Sequence, residues 1–159
     1  MKRIGWMRGA KVLIEDSLKV RAGENVLIVG DTSTVQIVEI LAYAAAERGA
    51  KVVICLMEPT GRTFAEPPPS VAAAMKAADV ILLPVSYSLT HTDARRQANA
   101  AGARIASLPG IDESVFMGGS LEVDLDKIAQ TAAQIGHLLK EAQTAEITSP
   151  SGTTIRIGL

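Results

Sequence analysis

The sequence predicts an α/β fold: a doubly wound, mainly parallel sheet of the Rossmann or flavodoxin kind, with a hairpin at its C-terminal edge. Three observations predict it. Four short apolar runs, 25–29, 51–56, 80–85 and 103–107, alternate with segments of helical period. The stretch Glu24 to Leu56 reads as strand, helix, strand, and two such strands joined by one helix require parallel pairing and a right-handed crossover. The last residues, 145–159, instead alternate apolar and polar side chains about Pro150-Ser151-Gly152, the pattern of a hairpin with one wet face.

Each element has its own signature. Residues 3–19 carry Trp6, Ala10, Leu13, Ile14 and Leu18 at helical spacing, and Lys19, Arg21 and Gly23 close that helix. Asn25–Val29 and Lys51–Leu56 are expected to be strands buried on both faces. Between them, Ser33 and Gln36 have the spacing of a capping box, Ile37, Val38, Leu41, Ala44 and Ala45 form an apolar face, and Gly49 ends the helix. Residues 57–70, MEPTGRTFAEPPPS, hold four prolines and read as a loop, either a lid at the sheet's C-terminal edge or a plain connection. Ser70 is expected to cap a helix over 71–78, and Pro84 to end pairing of the strand 80–85. Thr90, His91, Thr92 and Asp93 read as a helix N-terminus, with the helix running to about residue 101 and the strand 103–107 after Gly102. Residues 108–120 form a loop with one helical turn. Asp124 caps the longest helix, 125–142, whose apolar face is Leu125, Ile128, Ala132, Ile135, Leu139 and Ala142.

Composition narrows the function classes. The chain has 159 residues, a net charge of −1 and 3% aromatic residues, which leaves neither a basic footprint nor stacking platforms for nucleic acid. No apolar run approaches the roughly 20 residues of a membrane span, and the N-terminus lacks the apolar core of a signal peptide. The lone Cys55 falls in a strand expected to be buried and reads as a small core hydrophobe, so a cytoplasmic location is expected.

Chemistry in such a sheet is expected outside the C-terminal strand ends, where strand order reverses. If the first strand lies between the second and third, two loops flank that crevice. One contributes Asp31, Thr32 and Ser33; the other contributes Ser86, Tyr87, Thr90, His91 and Thr92. Both precede helices, so both offer free N–H groups and a positive dipole end to a carboxylate or phosphate. The alternative is that Ser33 and Thr90 cap their helices and no ligand binds. GDTST matches neither dinucleotide nor triphosphate glycine motifs. Two distant histidines and one cysteine build no metal site, and no catalytic constellation is present. The acid pairs Asp112–Glu113 and Asp124–Asp126 are explained as helix caps and first-turn residues.

Three stretches, LIEDSLKVRAGENVLIVGD, SLTHTDARRQANAAGARIASLPGI and AEITSPSGTTIRI, together resemble the N-terminal half of the aminopeptidase T-like proteins. These are the thermophilic leucyl aminopeptidases and their relatives, the 2,5-dihydroxypyridine 5,6-dioxygenases. The THT-x-A-R and GTTIRI stretches are nearer the dioxygenase branch. The resemblance implies a two-domain metalloprotein in which an α/β domain, here 1–144, leads through the hairpin 145–159 to a C-terminal domain holding a divalent metal. No metal ligand or catalytic residue of the family maps onto this chain, which is therefore expected to carry no cofactor and to be inactive alone. The apolar ending Ile157-Gly158-Leu159 fits an artificial boundary or a proteolytic product, with a naturally short protein as the alternative. The leading expectation is the N-terminal domain of a metal-dependent leucyl aminopeptidase-like hydrolase. The alternatives are the same domain of a non-haem iron dioxygenase-like enzyme, or a standalone anion-binding or oligomerisation domain. The expected partners are the C-terminal catalytic domain and a second copy in a homodimer, with no nucleic acid and no membrane.

Overall fold

The computed structural model describes residues 2–117, 121 and 124–159. Helix α1 (Lys2–Lys11) runs into a π-helical turn, Val12–Ser17, where Leu18 N–H reaches back five residues to Leu13 O at 3.0 Å. Strand β1 (Asn25–Asp31) follows, then α2 (Val35–Glu47), β2 (Lys51–Met57), α3 (Pro69–Lys76), β3 (Val80–Leu83), α4 (Asp93–Ala100), β4 (Arg104–Ser107) and the short α5 (Glu113–Met117). These four strands form one parallel sheet in the order β2-β1-β3-β4. The first strand therefore does lie between the second and third, the arrangement on which the crevice depends.

The chain divides into two compact units at Asp124. The first holds the parallel sheet. The second holds α6 (Leu125–Glu141) and an antiparallel pair, β5 (Thr144–Thr148) with β6 (Thr154–Gly158), which makes its own two-stranded sheet. Within the expected loop 108–120, α5 supplies the helical turn, and residues 118–120 lie outside the described residues.

Alternation along the central strands builds two cores. Val26, Ile28, Val80 and Leu82 face α1, α2 and Phe116 of α5. Leu27, Val29, Ile81 and Leu83 face α3 and α4 through Val71, Met75, Ala94 and Ala98. β1 continues two residues beyond the apolar run because Gly30 permits it. A Cβ at Gly30 would lie 2.3 Å from Val38 Cγ2 and 3.0 Å from Thr34 Oγ1, so α2 packs where a side chain would stand.

Several expectations are corrected. β2 is an edge strand rather than a strand buried on both faces: Val53, Ile54 and Leu56 are 53%, 44% and 50% exposed. Cys55 on it is half-buried rather than a core residue. An apolar run reports that burial is favourable and does not say what does the burying. Ser33 and Gln36 form no capping box; α2 begins after Thr34, whose hydroxyl is engaged elsewhere. Ser70 does not cap α3, which starts at Pro69, where a fixed φ suits the first helical position. Asp124 caps α6 as expected, accepting Lys127 N–H, whereas Thr90 does not cap α4: Thr92 takes that position and accepts Arg95 N–H. On α6 no residue is buried, and Ile128, Ile135 and Leu139 stand exposed.

Arg104 ties the start of β4 to the segment before β1. Its Nε donates to Leu18 O at 2.9 Å, and its Nη2 donates to Glu24 at 2.7 Å. Glu24 also accepts Arg21 N–H at 2.8 Å. The hydrogen bond from Arg104 holds the Glu24 carboxyl below its ordinary value, aided by Arg21 and opposed by burial. Because the folded value is depressed, the stabilisation is present above 4.5 and lost as pH falls through the folded value. Glu24→Gln should therefore lower stability by about 1 kcal/mol at neutral pH. Urea melts should show the gap closing in strongly acidic buffer, and a gap that is constant with pH would contradict this assignment.

Candidate functional site

The C-terminal ends of β1 and β3 are stitched together by two side chains. Asp31, 1% exposed, ends β1. Its carboxylate accepts Ser33 N–H at 3.0 Å, Ser86 N–H at 2.5 Å and Ser86 Oγ–H at 3.1 Å. Thr34 makes the second stitch. Its hydroxyl lies 2.7 Å from Pro84 O, and its oxygen accepts Asp31 N–H at 3.0 Å. Strand order brings the two loops together, and a buried carboxylate with three donors fixes their spacing.

The residues expected to share one ligand divide among several environments. Thr32 and Ser33 are exposed and line a cavity of about 380 Å³ at the N-terminus of α2, with Trp6, Gln36, Asp112 and Glu113. Asp31 and Ser86 bind each other. Thr90 turns toward β4, its hydroxyl 2.5 Å from Ser107 Oγ and 2.8 Å from Ser88 Oγ, beside a smaller hollow lined by Arg95 and Asn99. Thr92 is buried as the α4 cap, its hydroxyl donating to Leu89 O at 2.7 Å. Tyr87 is exposed. His91 is exposed and lies edge-on to Phe64, with ring centroids 4.8 Å apart.

Sequence reasoning missed Glu66. This carboxylate, in the proline-rich loop, accepts Asp93 N–H at 2.6 Å and Ala94 N–H at 3.1 Å. The chain thus supplies its own anion to the α4 N-terminus. Phe64 N–H donates to Ser88 O at 2.7 Å, so the loop lies across that helix end. A separation of 27 residues between Glu66 and Asp93 leaves no local spacing to read.

The cavity at α2 is chemically two-sided. The helix N-terminus and the hydroxyls of Thr32 and Ser33 favour negative charge. Asp112 and Glu113 present carboxylates, and hydrogen bonds from Ser114 hold the Asp112 carboxyl below its ordinary value. Such a lining suits a ligand that bears both an acidic and a basic or hydrogen-bond-donating group. Trp6 Nε1 is buried and has no acceptor among the described residues. Among the described residues no group of three or more His, Cys, Asp and Glu is placed to hold a metal ion, and no helix is long and apolar enough to cross a membrane.

The two carboxylate anchors, Asp31 and Glu66, should differ in cost. Asp31→Ala strands three donors, and a loss of about 3 kcal/mol is expected in denaturant melts. Glu66→Ala should cost only about 1 kcal/mol, the typical value of a helix cap. It should also free the loop, so that trypsin cleaves after the exposed Arg62 faster than in the unmodified protein. Equal cleavage rates would show that Glu66 does not hold the loop.

The sequence profile of the 2,5-dihydroxypyridine 5,6-dioxygenase (NicX) family matches residues 13–159. The 2,5-dihydroxypyridine dioxygenase of Pseudomonas putida KT2440 superposes with a TM-score of 0.76 at 19% identity, over 99% of this chain and 48% of that one. AmpT of Thermus thermophilus superposes with a TM-score of 0.60 at 16% identity, over 100% of this chain and 54% of that one. A search of curated sequences gives no significant match. At these identities the superpositions establish the fold, and the chain spans about half the length of these solved relatives. The profile match, running from the π-helical turn through the last strand, establishes more: the chain belongs to the 2,5-dihydroxypyridine 5,6-dioxygenase family.

Proposed function

We propose that this chain is the α/β half of a longer metal-dependent enzyme, and that the enzyme opens a hydroxylated nitrogen heteroaromatic ring with dioxygen. The observation that carries this reading is the family match over residues 13–159. It favours the dioxygenase over the aminopeptidase expected first from the sequence. The aminopeptidase-like hydrolase stands as the second reading, supported by the likeness to AmpT over the whole of this chain. Of the expected domain 1–144, the parallel-sheet unit ends before Asp124, and α6 with the hairpin 145–159 forms the second unit, which leads to the remaining half.

Among the described residues no cluster fits a metal centre, and the divalent metal is assigned to that other half. The part left to this chain is shape and polarity. Its cavity offers Thr32, Ser33 and the α2 N–H groups to acidic oxygens of a substrate, and Asp112 and Glu113 to a donor group. A hydroxylated pyridine carries both kinds of group.

The test is made on the encoded protein at full length, with turnover of 2,5-dihydroxypyridine and of leucyl arylamides measured side by side. Ring opening with one metal per chain supports the dioxygenase reading, and arylamide hydrolysis alone would transfer the assignment to the peptidase. Thr32→Val with Ser33→Ala should raise KM several-fold with little change in kcat, the pattern of lost uniform binding. Unchanged KM would remove this cavity from substrate binding.

A further inference from the structure

Among the described residues nothing pairs with the outer edge of β2, the end strand of the sheet. Edge strands are normally blunted by charges, prolines or bulges. The seven residues of β2, KVVICLM, carry one charge, at the first position, and pair in register with β1 along their whole length. Val53, Ile54 and Leu56 are about half exposed on the two faces of this strand. Tyr43 is 65% exposed on α2, whose other face packs against the sheet. On the opposite side an apolar hollow of about 230 Å³ lies between Val53 and Ala74, Ala77 and Ala78.

The backbone says which groups are free. Lys51 N–H donates to Glu24 O at 2.8 Å, and Met57 O accepts Thr32 N–H at 3.2 Å. Alternate residues of a strand point their polar groups to opposite sides. Residues 51, 53, 55 and 57 therefore turn toward β1, while Val52, Ile54 and Leu56 turn outward. That free set is symmetric about Ile54.

We infer that β2 pairs antiparallel with β2 of a second copy of this chain, about a two-fold axis at Ile54, to make one continuous eight-stranded sheet. In this register Ile54 faces its own mate and Val52 faces Leu56 of the mate. All outward groups are then paired, each pair exchanging two hydrogen bonds. A shifted register leaves part of the strand unpaired. Charge selects the direction. Lys51 stands at one end of the strand and Glu58 just past the other, both exposed. Antiparallel pairing brings the basic end of each copy beside the acidic end of its mate, whereas parallel pairing would set like charges together. Size is adequate as well. At ~3.3 Å per residue the strand is about 23 Å long, and three layers about 10 Å apart give a flank of roughly 700 Å². A standard interface buries about 800 Å² per partner. Closed isologous contact of this kind is the commonest route to a dimer.

Sedimentation velocity on the intact chain reads the outcome directly. The expected species has twice the chain mass. Ile54→Lys, which sets two ammonium groups face to face at the axis, should weaken the dimer tenfold or more, with the circular dichroism spectrum unchanged. Ile54→Pro removes an outward N–H that β1 does not use, and gives a second disruption if the lysine variant misfolds. Register has its own readout. Val53 falls opposite Cys55 of the mate in a non-hydrogen-bonded pair, where Cα atoms approach to about 4.5 Å, within disulfide range. Val53→Cys should therefore give a reducible covalent dimer that Cys55→Ser abolishes. Leu56→Cys in the Cys55→Ser background should stay uncrosslinked, because its opposite residue is Val52. A chain that stays monomeric at all concentrations overturns the inference and leaves the edge to another segment of a longer protein. A dimer indifferent to Ile54→Lys and Ile54→Pro, or one that Val53→Cys fails to crosslink, overturns it equally.

Discussion

The carboxylate of Asp31 is the constraint on which the rest of the first unit depends. A parallel sheet leaves its C-terminal strand ends without partners, and the chain must leave β1 and β3 in opposite directions to build helices on both faces. Asp31 holds those diverging exits together by accepting two N–H groups and one hydroxyl from either side of the gap. A buried carboxylate without such donors would be costly, whereas with them it behaves as a rigid pin. The cavity at α2 and the turn into α4 both start from the spacing it sets. Gly30 complements it by letting α2 settle against the sheet beside the pin.

Much of this architecture was legible in the sequence because its signals are local. Buried parallel strands leave continuous apolar runs, and Asn25–Val29 and Val80–Leu83 proved to be the two central strands. Asp124 announced its helix because a cap needs a short polar side chain at one position, while at α4 the cap fell on Thr92, two residues beyond the expected Thr90. What failed was long-range or contextual. Ser33 had the spacing of a cap, but its neighbour Thr34 took the position when its hydroxyl found Pro84 O, fifty residues away. Val53 and Leu56 looked like core residues because apolarity does not encode the presence of a covering layer.

The candidate site shows the same division. Topology correctly placed the loops 31–34 and 86–92 side by side, since strand order alone decides that. It could not say which side chains converge. Thr32 and Ser33 open onto one cavity while Thr90 faces Ser107 across β4. The acids Asp112 and Glu113 were visible as a pair and were explained by capping; that they also line a cavity depends on α5 folding back beside α2 and Trp6.

The loop that carries Glu66 has one more consequence. Phe64 holds φ at 66°, a conformation that L side chains rarely adopt, so the segment is kept in place against its own backbone preference. What keeps it there is the hydrogen bond from Phe64 N–H to Ser88 O and the Glu66 carboxylate on the α4 N–H groups. A group on a short tether is present at an effective concentration on the order of millimolar. Dilute free phosphate or carboxylate therefore competes poorly with Glu66 for the end of α4. Among the described residues no side chain caps the N-terminus of α2 in this way, and that end opens onto the cavity beside Thr32 and Ser33.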